Sequence, residues 1–217
     1  MWIDGATVYV GVSDSTWGSP WPSGIPRLAL PREAPSRSTL KLAEAIALFV
    51  GPRESELMDA GMRAVDLGAA PGGWTWQLAR RGLYVDAVDN GPLKGSIALD
   101  PRVKHIRVDG FTFRPRSPVD WMVCDMVEQP IRVAELVANW VTDGLAARAI
   151  FNLKLPMKKR YAEVSRCWLR IEEITDRART RVGVKLRQLY HDREEVTGYL
   201  APDDGTFPRI GIRHPRR

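Results

Sequence analysis

A glycine-rich turn within residues 64–81 is the part of the sequence best suited to hold a ligand. The stretch AVDLGAAPGGWTWQLARR passes from apolar residues into a tight turn and then into an amphipathic segment. Gly68, Gly73 and Thr75 have the spacing of a phosphate-binding P-loop, but Trp74 stands where such a loop has its lysine. A dinucleotide fingerprint has a glycine at its third position, where this chain has Ala70. The turn therefore favours a nucleotide whose contacting end is not strongly anionic.

Two acids follow the turn at positions that suit such a nucleotide. Asp89 ends the next apolar run, about twenty residues after the first glycine, which is the separation that a dinucleotide fold uses for its ribose contact. Asp109 ends the run after that and is placed to meet an adenine ring. Each acid taken alone could equally cap a helix or end a turn. Together with the glycines they favour S-adenosylmethionine, whose amino acid part a glycine backbone can approach closely.

The elements that must position these residues alternate between strands and helices. The pattern predicts strands at 63–68, 84–89, 103–108, 119–125 and 147–154 and helices at 73–81, 130–142 and 158–178. An earlier helix should begin at Ser36 or Ser38 as its N-cap and end before Gly51. The runs VKLRQLYHD and EEVTGYL have no helix between them. We therefore predict an α/β fold whose mostly parallel sheet ends in an antiparallel C-terminal hairpin.

Composition sets the domain organisation and the partner class. A chain of 217 residues with 44% hydrophobic residues supports one good-sized core. We expect an N-terminal strand and a Pro/Gly-rich arm in 1–35, a catalytic domain in 36–200 and a basic tail in 201–217. The net charge of +6 is a moderate bias that favours a polyanionic partner.

Other features of the sequence exclude several classes of protein. Cys124 and Cys167 lack CxxC spacing, so we expect reduced core thiols and a cytoplasmic location. The sequence has neither a secretory signal pattern nor an apolar run long enough for a membrane span. His105, His191 and His214 show no metal-ligand spacing, so no metal is expected.

Five segments in combination resemble one known family. They are DLGAAPGGWTWQL, VDNGP, DWMVCDMVEQP, IFNLKLPMKKRY and QLYHDREEVT. These segments are similar to those of the bacterial 23S rRNA 2'-O-ribose methyltransferase M family, over about residues 21–197. The resemblance implies a Rossmann-like methyltransferase fold, S-adenosylmethionine as the donor and a cytidine ribose of 23S rRNA as the acceptor. Family members carry a further N-terminal RNA-binding region, which we expect this chain to lack.

The resemblance also implies four catalytic residues. Ribose methyltransferases of the wider group, which includes the heat-shock RNA methyltransferase, use a Lys-Asp-Lys-Glu tetrad, and the matching positions here are Lys41, Asp125, Lys154 and Glu195. A ribose hydroxyl is a weak nucleophile, so its proton must be withdrawn as it attacks. Two lysines close together lower each other's pKa, while an adjacent carboxylate opposes that shift. We interpret Lys154 as the base, Asp125 and Glu195 as orienting groups, and Lys41 as a tuning or steering group.

The remaining expected contacts form two sets. The donor-binding set is Ser38, Asp66, Gly68, Ala70, Pro71, Gly72, Gly73, Trp74, Asp89, Asp109 and Asp125. The RNA-binding set is Arg37, Lys158, Lys159 and Arg160, although KKRY could simply be the exposed first turn of a helix. Trp17, Trp21 and Trp74 could stack on bases or pack in the core.

The expected partner is RNA, either 23S rRNA or a ribosome-assembly intermediate, bound by a monomer that contacts no membrane. Two other functions stay open at this point. A nicotinamide-dependent oxidoreductase would share the sheet and the ribose acid, but Ala70 and the lack of an evident hydride-transfer partner count against it. A non-catalytic RNA-binding module would keep the methyltransferase fold without needing the tetrad. Cofactor titration and a methyl-transfer assay distinguish these functions.

Overall fold

Apolar runs of four to nine residues form the strands of the protein. In this computed structural model, which describes residues 6, 8, 10, 11, 21–205 and 207, seven strands are present among the described residues. They are β1 (Arg63–Leu67), β2 (Tyr84–Val88), β3 (Val103–Ile106), β4 (Val119–Cys124), β5 (Ala146–Lys154), β6 (Val182–Arg187) and β7 (Glu195–Pro202). Their bounds agree with the predicted strands to within about two residues, apart from the ends of the last hairpin.

The strands form one sheet in the order β3-β2-β1-β4-β5-β7-β6. The first five in this order are parallel, and β7 runs antiparallel to both β5 and β6. The predicted fold class and antiparallel C-terminal hairpin are therefore confirmed. The last strand of the chain lies inside the sheet, so its first residue reaches the edge at which the parallel strands end.

Helices cover both faces of the sheet. They are α1 (Thr39–Ala45), α2 (Glu54–Leu57), α3 (Gly73–Arg80), α4 (Pro130–Thr142) and α5 (Arg160–Arg177). One core cluster includes Leu42 of α1 and Leu78 of α3, and the other includes Val137 of α4 and Ile171 of α5. Because each helix buries one apolar face against the sheet, both faces of the parallel strands are covered.

The first helix has its predicted limits but lacks the expected side-chain cap. It begins at Thr39 and continues beyond Ala45 as a π-helical turn, Ile46–Val50. Neither predicted N-cap serine caps it, because the Ser36 and Ser38 hydroxyls bond each other at 2.7 Å and Ser38 itself has helical backbone angles. Ser38 is nevertheless the N-cap residue, as predicted, but no side-chain hydrogen bond caps the helix.

Several other expectations concern the chain ends and the core. Part of the predicted N-terminal strand (residues 7, 9 and 12) and most of the 201–217 tail lie outside the described residues, while β7 continues two residues past 200. Both cysteines are buried and unpaired, as predicted, and burial raises the pKa of each thiol to about 12. Over 21–205, none of the helices is long and apolar enough to cross a bilayer. No group of three or more metal-ligating side chains occurs in the same part of the chain.

Candidate active site

Four charged side chains from four separate elements meet at the carboxyl edge of the sheet. Lys41 Nζ lies 2.5 Å from Glu195 Oε2 and 3.9 Å from Asp125 Oδ2. Lys154 Nζ donates to Asp125 Oδ1 and lies 3.2 Å from Glu195 Oε1. Each lysine thus contacts both carboxylates, and all four side chains are 13–20% exposed. The structure brings the predicted catalytic residues together in one cluster, which we call the tetrad.

Sheet register explains why this cluster forms. Lys154 is the last residue of β5 and Glu195 the first of β7, and the antiparallel pairing sets them directly opposite each other. Asp125 directly follows β4, the parallel neighbour of β5, so its carboxylate reaches the same edge. Cross-strand neighbours of this kind have Cβ atoms about 5 Å apart, close enough for an ion pair. Only Lys41 comes from a helix.

Asn152 joins the two carboxylates from below and was not among the predicted site residues. It is fully buried, and its amide donates to Asp125 Oδ1 at 2.9 Å and to Glu195 Oε2 at 3.0 Å. Its carbonyl accepts the Thr197 hydroxyl at 2.7 Å. One sequence signal could have identified it, because Asn152 and Lys154 are two residues apart in a strand and so face the same side. An amide on that side of a buried strand requires polar partners.

A second polar network fixes the helix that carries Lys41. Glu44, three residues further along α1 and almost fully buried, accepts the backbone N–H groups of Tyr190 and His191 at 2.8 and 2.9 Å. Its carboxylate also lies 2.6 Å from the His191 ring nitrogen. Asp192 accepts the Leu189 N–H, and burial raises its pKa to about 6. These contacts tie α1 to the loop that leads into β7, so the two ends of the tetrad are held relative to each other.

Lys154 keeps its positive charge, which a second lysine nearby would by itself disfavour. Burial would lower the pKa of Lys154, but the contacts with Asp125 and then with Glu195 outweigh it, so the pKa is raised above its ordinary value. The two carboxylates therefore raise the pKa of Lys154 by more than burial lowers it. In this arrangement Lys154 is an ammonium group at neutral pH.

The glycine turn connects β1 to α3 and packs tightly against the protein itself. Gly68 has φ +82° and Gly72 φ +114°, conformations that side chains rarely adopt. A Cβ on Gly72 would lie 2.7 Å from Ile97, and one on Gly73 would lie 2.4 Å from the Ser38 hydroxyl. At Gly72 and Gly73 the absence of a side chain therefore serves the packing of the turn against neighbouring segments.

A cavity of about 460 Å³ opens beside this turn, a size within the usual range for ligand pockets. Its walls include five predicted donor-binding residues: Gly68, Ala70, Asp89, Asp109 and Asp125. Val88, Val108 and Phe111 give it an apolar side. The carboxyl ends of four strands thus surround one cavity whose walls carry both apolar side chains and carboxylates. A flat aromatic base and ribose hydroxyls are the groups that such walls suit.

The two acids at the strand ends also shape the backbone. Asp89 accepts the N–H of Ala70 at 3.0 Å and that of Gly91 at 2.7 Å, and Asp109 accepts the Phe111 N–H at 2.9 Å. Both the functional and the turn-forming interpretation of these acids thus have support, since each lines the cavity and organises its own turn.

The other six predicted donor-binding residues do not line this cavity: Ser38, Asp66, Pro71, Gly72, Gly73 and Trp74. Trp74 is buried, and its indole N–H donates to the Ser38 carbonyl at 3.1 Å, so it packs in the core and is not available to stack on a base. Asp66 is fully buried beneath the turn, where Thr75 donates to Oδ2 at 2.6 Å and Oδ1 has no partner among the described residues. Burial raises the pKa of Asp66 to about 7.

Residues 34–170 match the model of the FtsJ-like methyltransferase family. The chain belongs to this family. It is 60% identical over 203 residues to ribosomal RNA large subunit methyltransferase M of Laribacter hongkongensis, covering 93% of this chain and 58% of that protein. It is 56% identical over 200 residues to the protein of the same name from Methylococcus capsulatus, covering 92% of this chain and 56% of that protein. The chain therefore spans little more than half the length of these curated relatives.

Solved structures of other proteins share the fold of this chain. Fibrillarin of Aeropyrum pernix, solved with S-adenosyl-L-methionine bound, matches with a TM-score of 0.54 at 17% identity, over 74% of each chain. A putative hemolysin of Lactococcus lactis matches with a TM-score of 0.55 at 17% identity, over 78% of this chain and 89% of that one. At these identities the likeness concerns the fold alone.

The predicted RNA-binding residues of this FtsJ-like domain have unequal surroundings. Lys158 and Lys159 are exposed and form no ion pair within 21–205, whereas Arg160 pairs with Glu194 at 2.8 Å. Lys159 has φ +58° and directly precedes α5, so it lies at the entrance of that helix. Trp21 is partly exposed, and Trp17 lies outside the described residues.

Proposed function

We propose that the chain is the catalytic part of a methyltransferase that transfers a methyl group from S-adenosylmethionine to a ribose 2'-hydroxyl of RNA. One observation carries the proposal. Asp125 lines the cavity beside the glycine turn and also accepts a hydrogen bond from Lys154 of the tetrad. A donor in the cavity and an acceptor hydroxyl at the tetrad would therefore meet at a single residue. Such positioning of two reactants supplies a large part of the rate enhancement in group transfer.

The cavity suits S-adenosylmethionine, which supplies an electrophilic methyl group when bound. Asp89 at the end of β2 would accept hydrogen bonds from the ribose hydroxyls, and Val88 and Phe111 would contact the base. The left-handed backbone at Gly68 would let the chain pass close to the amino acid part. Asp66, with an unpartnered carboxyl oxygen under the turn, stiffens the same segment through Thr75.

The tetrad would handle the proton of the attacking hydroxyl. Lys154 is the proposed base, and its raised pKa means that it must first lose a proton before it can accept one from the ribose. Asp125 and Glu195 would orient its Nζ, while Lys41 would hold Glu195 and steer the hydroxyl oxygen by donating to it. The charges of this cluster balance, since two lysine ammonium groups lie beside two carboxylates.

The proposed substrate is a cytidine ribose of 23S rRNA. The family model and the names of the full-length relatives support an rRNA substrate, and the specific nucleoside follows from the sequence resemblance. The proposal includes a bacterial cytoplasmic location, because ribosomes are assembled there, and a monomeric enzyme. Protein-free 23S rRNA and assembly intermediates are both candidate forms of the substrate.

A methyl-transfer assay tests the proposed function. Donor with a tritiated methyl group is incubated with the chain and 23S rRNA, and label should appear in RNA at a 2'-O-methylated nucleoside, which resists alkaline cleavage. Lys154→Ala should abolish the label while donor affinity, measured by calorimetry, stays near the wild-type value. Label on a base, or equal label from the Lys154→Ala variant, would contradict the assignment. Tighter binding of ATP or NAD than of S-adenosylmethionine would contradict the proposed donor.

The exposed lysines before α5 are proposed to bind RNA phosphates. Neutralising both in Lys158→Gln/Lys159→Gln should lower the slope of log affinity against log salt by about 0.7 to 0.9 for each lost contact. Sequence preference should not change, because phosphate contacts position RNA without reading bases. Arg160 is left in place because its ion pair with Glu194 already neutralises it. An unchanged slope would mean that the two lysines are ordinary solvent-exposed residues at the start of a helix and do not bind phosphates.

A further inference from the structure

A groove at the free edge of the sheet collects positive charge that the proposed active site does not use. Its walls come from edge strand β3 and from the connection between β3 and β4, residues 107–118, which contains no helix. The groove has a volume of about 550 Å³. Five cationic side chains line it: Arg63, Lys104, Arg107, Arg114 and Arg116. We call this feature the β3-edge groove.

The cations of the β3-edge groove lack carboxylate partners. None of the five forms an ion pair with any residue of the described chain, although arginines such as Arg53 and Arg170 each pair with two acids. Arg63 donates to the Ser117 hydroxyl, and Arg114 donates to two backbone carbonyls, so these guanidinium groups are oriented but not neutralised. Asp86 is the one acid among the lining residues. Several like charges in one groove produce a field that attracts polyanions.

Protection of a sheet edge does not account for this arrangement. A lysine on an edge strand, such as Lys104, blocks pairing with another chain. The other exposed cations lie elsewhere: Arg107 and Arg116 are in the connection after β3, and Arg63 begins β1. Charges placed there have no edge to protect, so they need another explanation.

The geometry points to an RNA backbone as the occupant: we propose that the β3-edge groove binds phosphodiester groups of the RNA substrate. Guanidinium groups match phosphate oxygens in pairs, and all five cations of the groove are exposed, so an RNA strand can reach them. Val108 lines both this groove and the donor cavity, so the two are adjacent. This inference rests on the proposed function for the identity of the RNA.

The groove is a separate contact from the tetrad. Four strand intervals divide β3 from β5, roughly 19 Å at ~4.8 Å for each interval. An RNA whose ribose lies at Lys154 must therefore extend over several nucleotides to reach Arg107. The exposed lysines before α5 lie on the β5 side, so the two basic surfaces flank the site and would hold RNA on both sides of the acceptor nucleotide.

Matched double variants test the proposal. Arg107→Gln/Arg116→Gln removes two charges from the groove, and Arg166→Gln/Arg177→Gln removes two exposed charges from α5, where both arginines pair with acids on their own helix. Binding of a fluorescently labelled 23S rRNA fragment is measured by anisotropy from about 50 to 200 mM salt. The groove variant should lose about five- to eightfold in affinity for each contact near 0.1 M salt, with a salt slope lower by about 1.4 to 1.8. The α5 variant should bind as the wild type does.

The outcomes separate this proposal from the proposed function. Equal affinities and slopes for the two double variants would show that the groove does not bind RNA. Methyl transfer by the wild-type chain would in that case still support the enzyme assignment. Absence of methyl transfer by the wild type would contradict the enzyme assignment. The binding data would still test whether the groove binds RNA. Polyglutamate of similar length is the second probe. If it binds as tightly as RNA and loses affinity in the groove variant, the occupant is an acidic polypeptide and the RNA assignment is wrong.

Discussion

Removing the Asn152 amide should disconnect the tetrad from the sheet beneath it. In the wild type this fully buried side chain donates one hydrogen bond to Asp125 and one to Glu195, and it accepts one from Thr197. Asn152→Ala deletes all three bonds and leaves the lysines in place. The two carboxylates would then be held only by their ion pairs and by solvent.

The size of the effect follows from these contacts. A hydrogen bond to a charged group contributes about 1.5 to 3 kcal/mol. The lower value applies here because both carboxylates keep lysine partners and are 13–14% exposed, so water can replace the amide in part. Thr197 keeps its bond to Asp192 and adds little. The expected loss is about 3 kcal/mol, which for a chain of this length lowers Tm by roughly 6 to 12 °C.

Activity should fall further than stability suggests. Displacement of a catalytic group by about 1 Å can cost about 10²-fold in rate, so kcat should drop by about that factor, while donor affinity should fall much less because Asp125 is one of several residues that line the donor cavity. Thermal unfolding, calorimetry with the donor and single-turnover methyl transfer below the Tm measure the three quantities. Asn139→Ala on the exposed face of α4 is the control and should change none of them. Wild-type Tm together with wild-type kcat in Asn152→Ala would refute the positioning role.

Three further predictions concern charge and packing. Because the pKa of Lys154 is raised, the single-turnover rate should climb tenfold per pH unit from about pH 7 towards pH 10, and a plateau near neutral pH would contradict the base assignment. Gly73→Ala should lower Tm and kcat together, because the added methyl group would displace the serines before α1; replacing those serines by glycine should restore Tm in part, since the Thr39 backbone nitrogen still lies 3.0 Å from the added Cβ, and no recovery of Tm would count against the packing argument. Asp66 binds its proton more tightly in the folded chain, with a pKa of about 7, so its contribution to the unfolding free energy decreases as pH rises from about 4 to 7. Denaturant titrations should show less of this decrease in Asp66→Asn, and identical pH profiles for the two proteins would contradict the assigned pKa.

The elements of the fold could be predicted from sequence because each has a local cause. Apolar runs bounded by turn residues gave the strands, and apolar periodicity gave α3, α4 and α5 with bounds within two residues. The absence of a helix between the last two strands was sufficient to predict an antiparallel end. The start of α1 after Ser38 was predicted correctly, but its side-chain cap was not formed, because two serines close in sequence can bond each other as readily as they bond a helix backbone.

In the candidate site, too, some residues could be predicted from nearby sequence, whereas other properties depend on residues that are distant in the chain. Spacing within one segment was enough to single out the glycine turn and the strand-end acids, and the family resemblance supplied the tetrad positions. Only the tertiary structure decided the charge state of Lys154, because its pKa depends on two carboxylates 29 and 41 positions away in the chain. The role of Asn152 and the lack of ion pairs, within the described residues, among the cations of the β3-edge groove also became visible only in the tertiary structure. Hydrogen bonds and ion pairs act over a few ångströms, and which residues lie within that range is set by strand order and register rather than by local sequence.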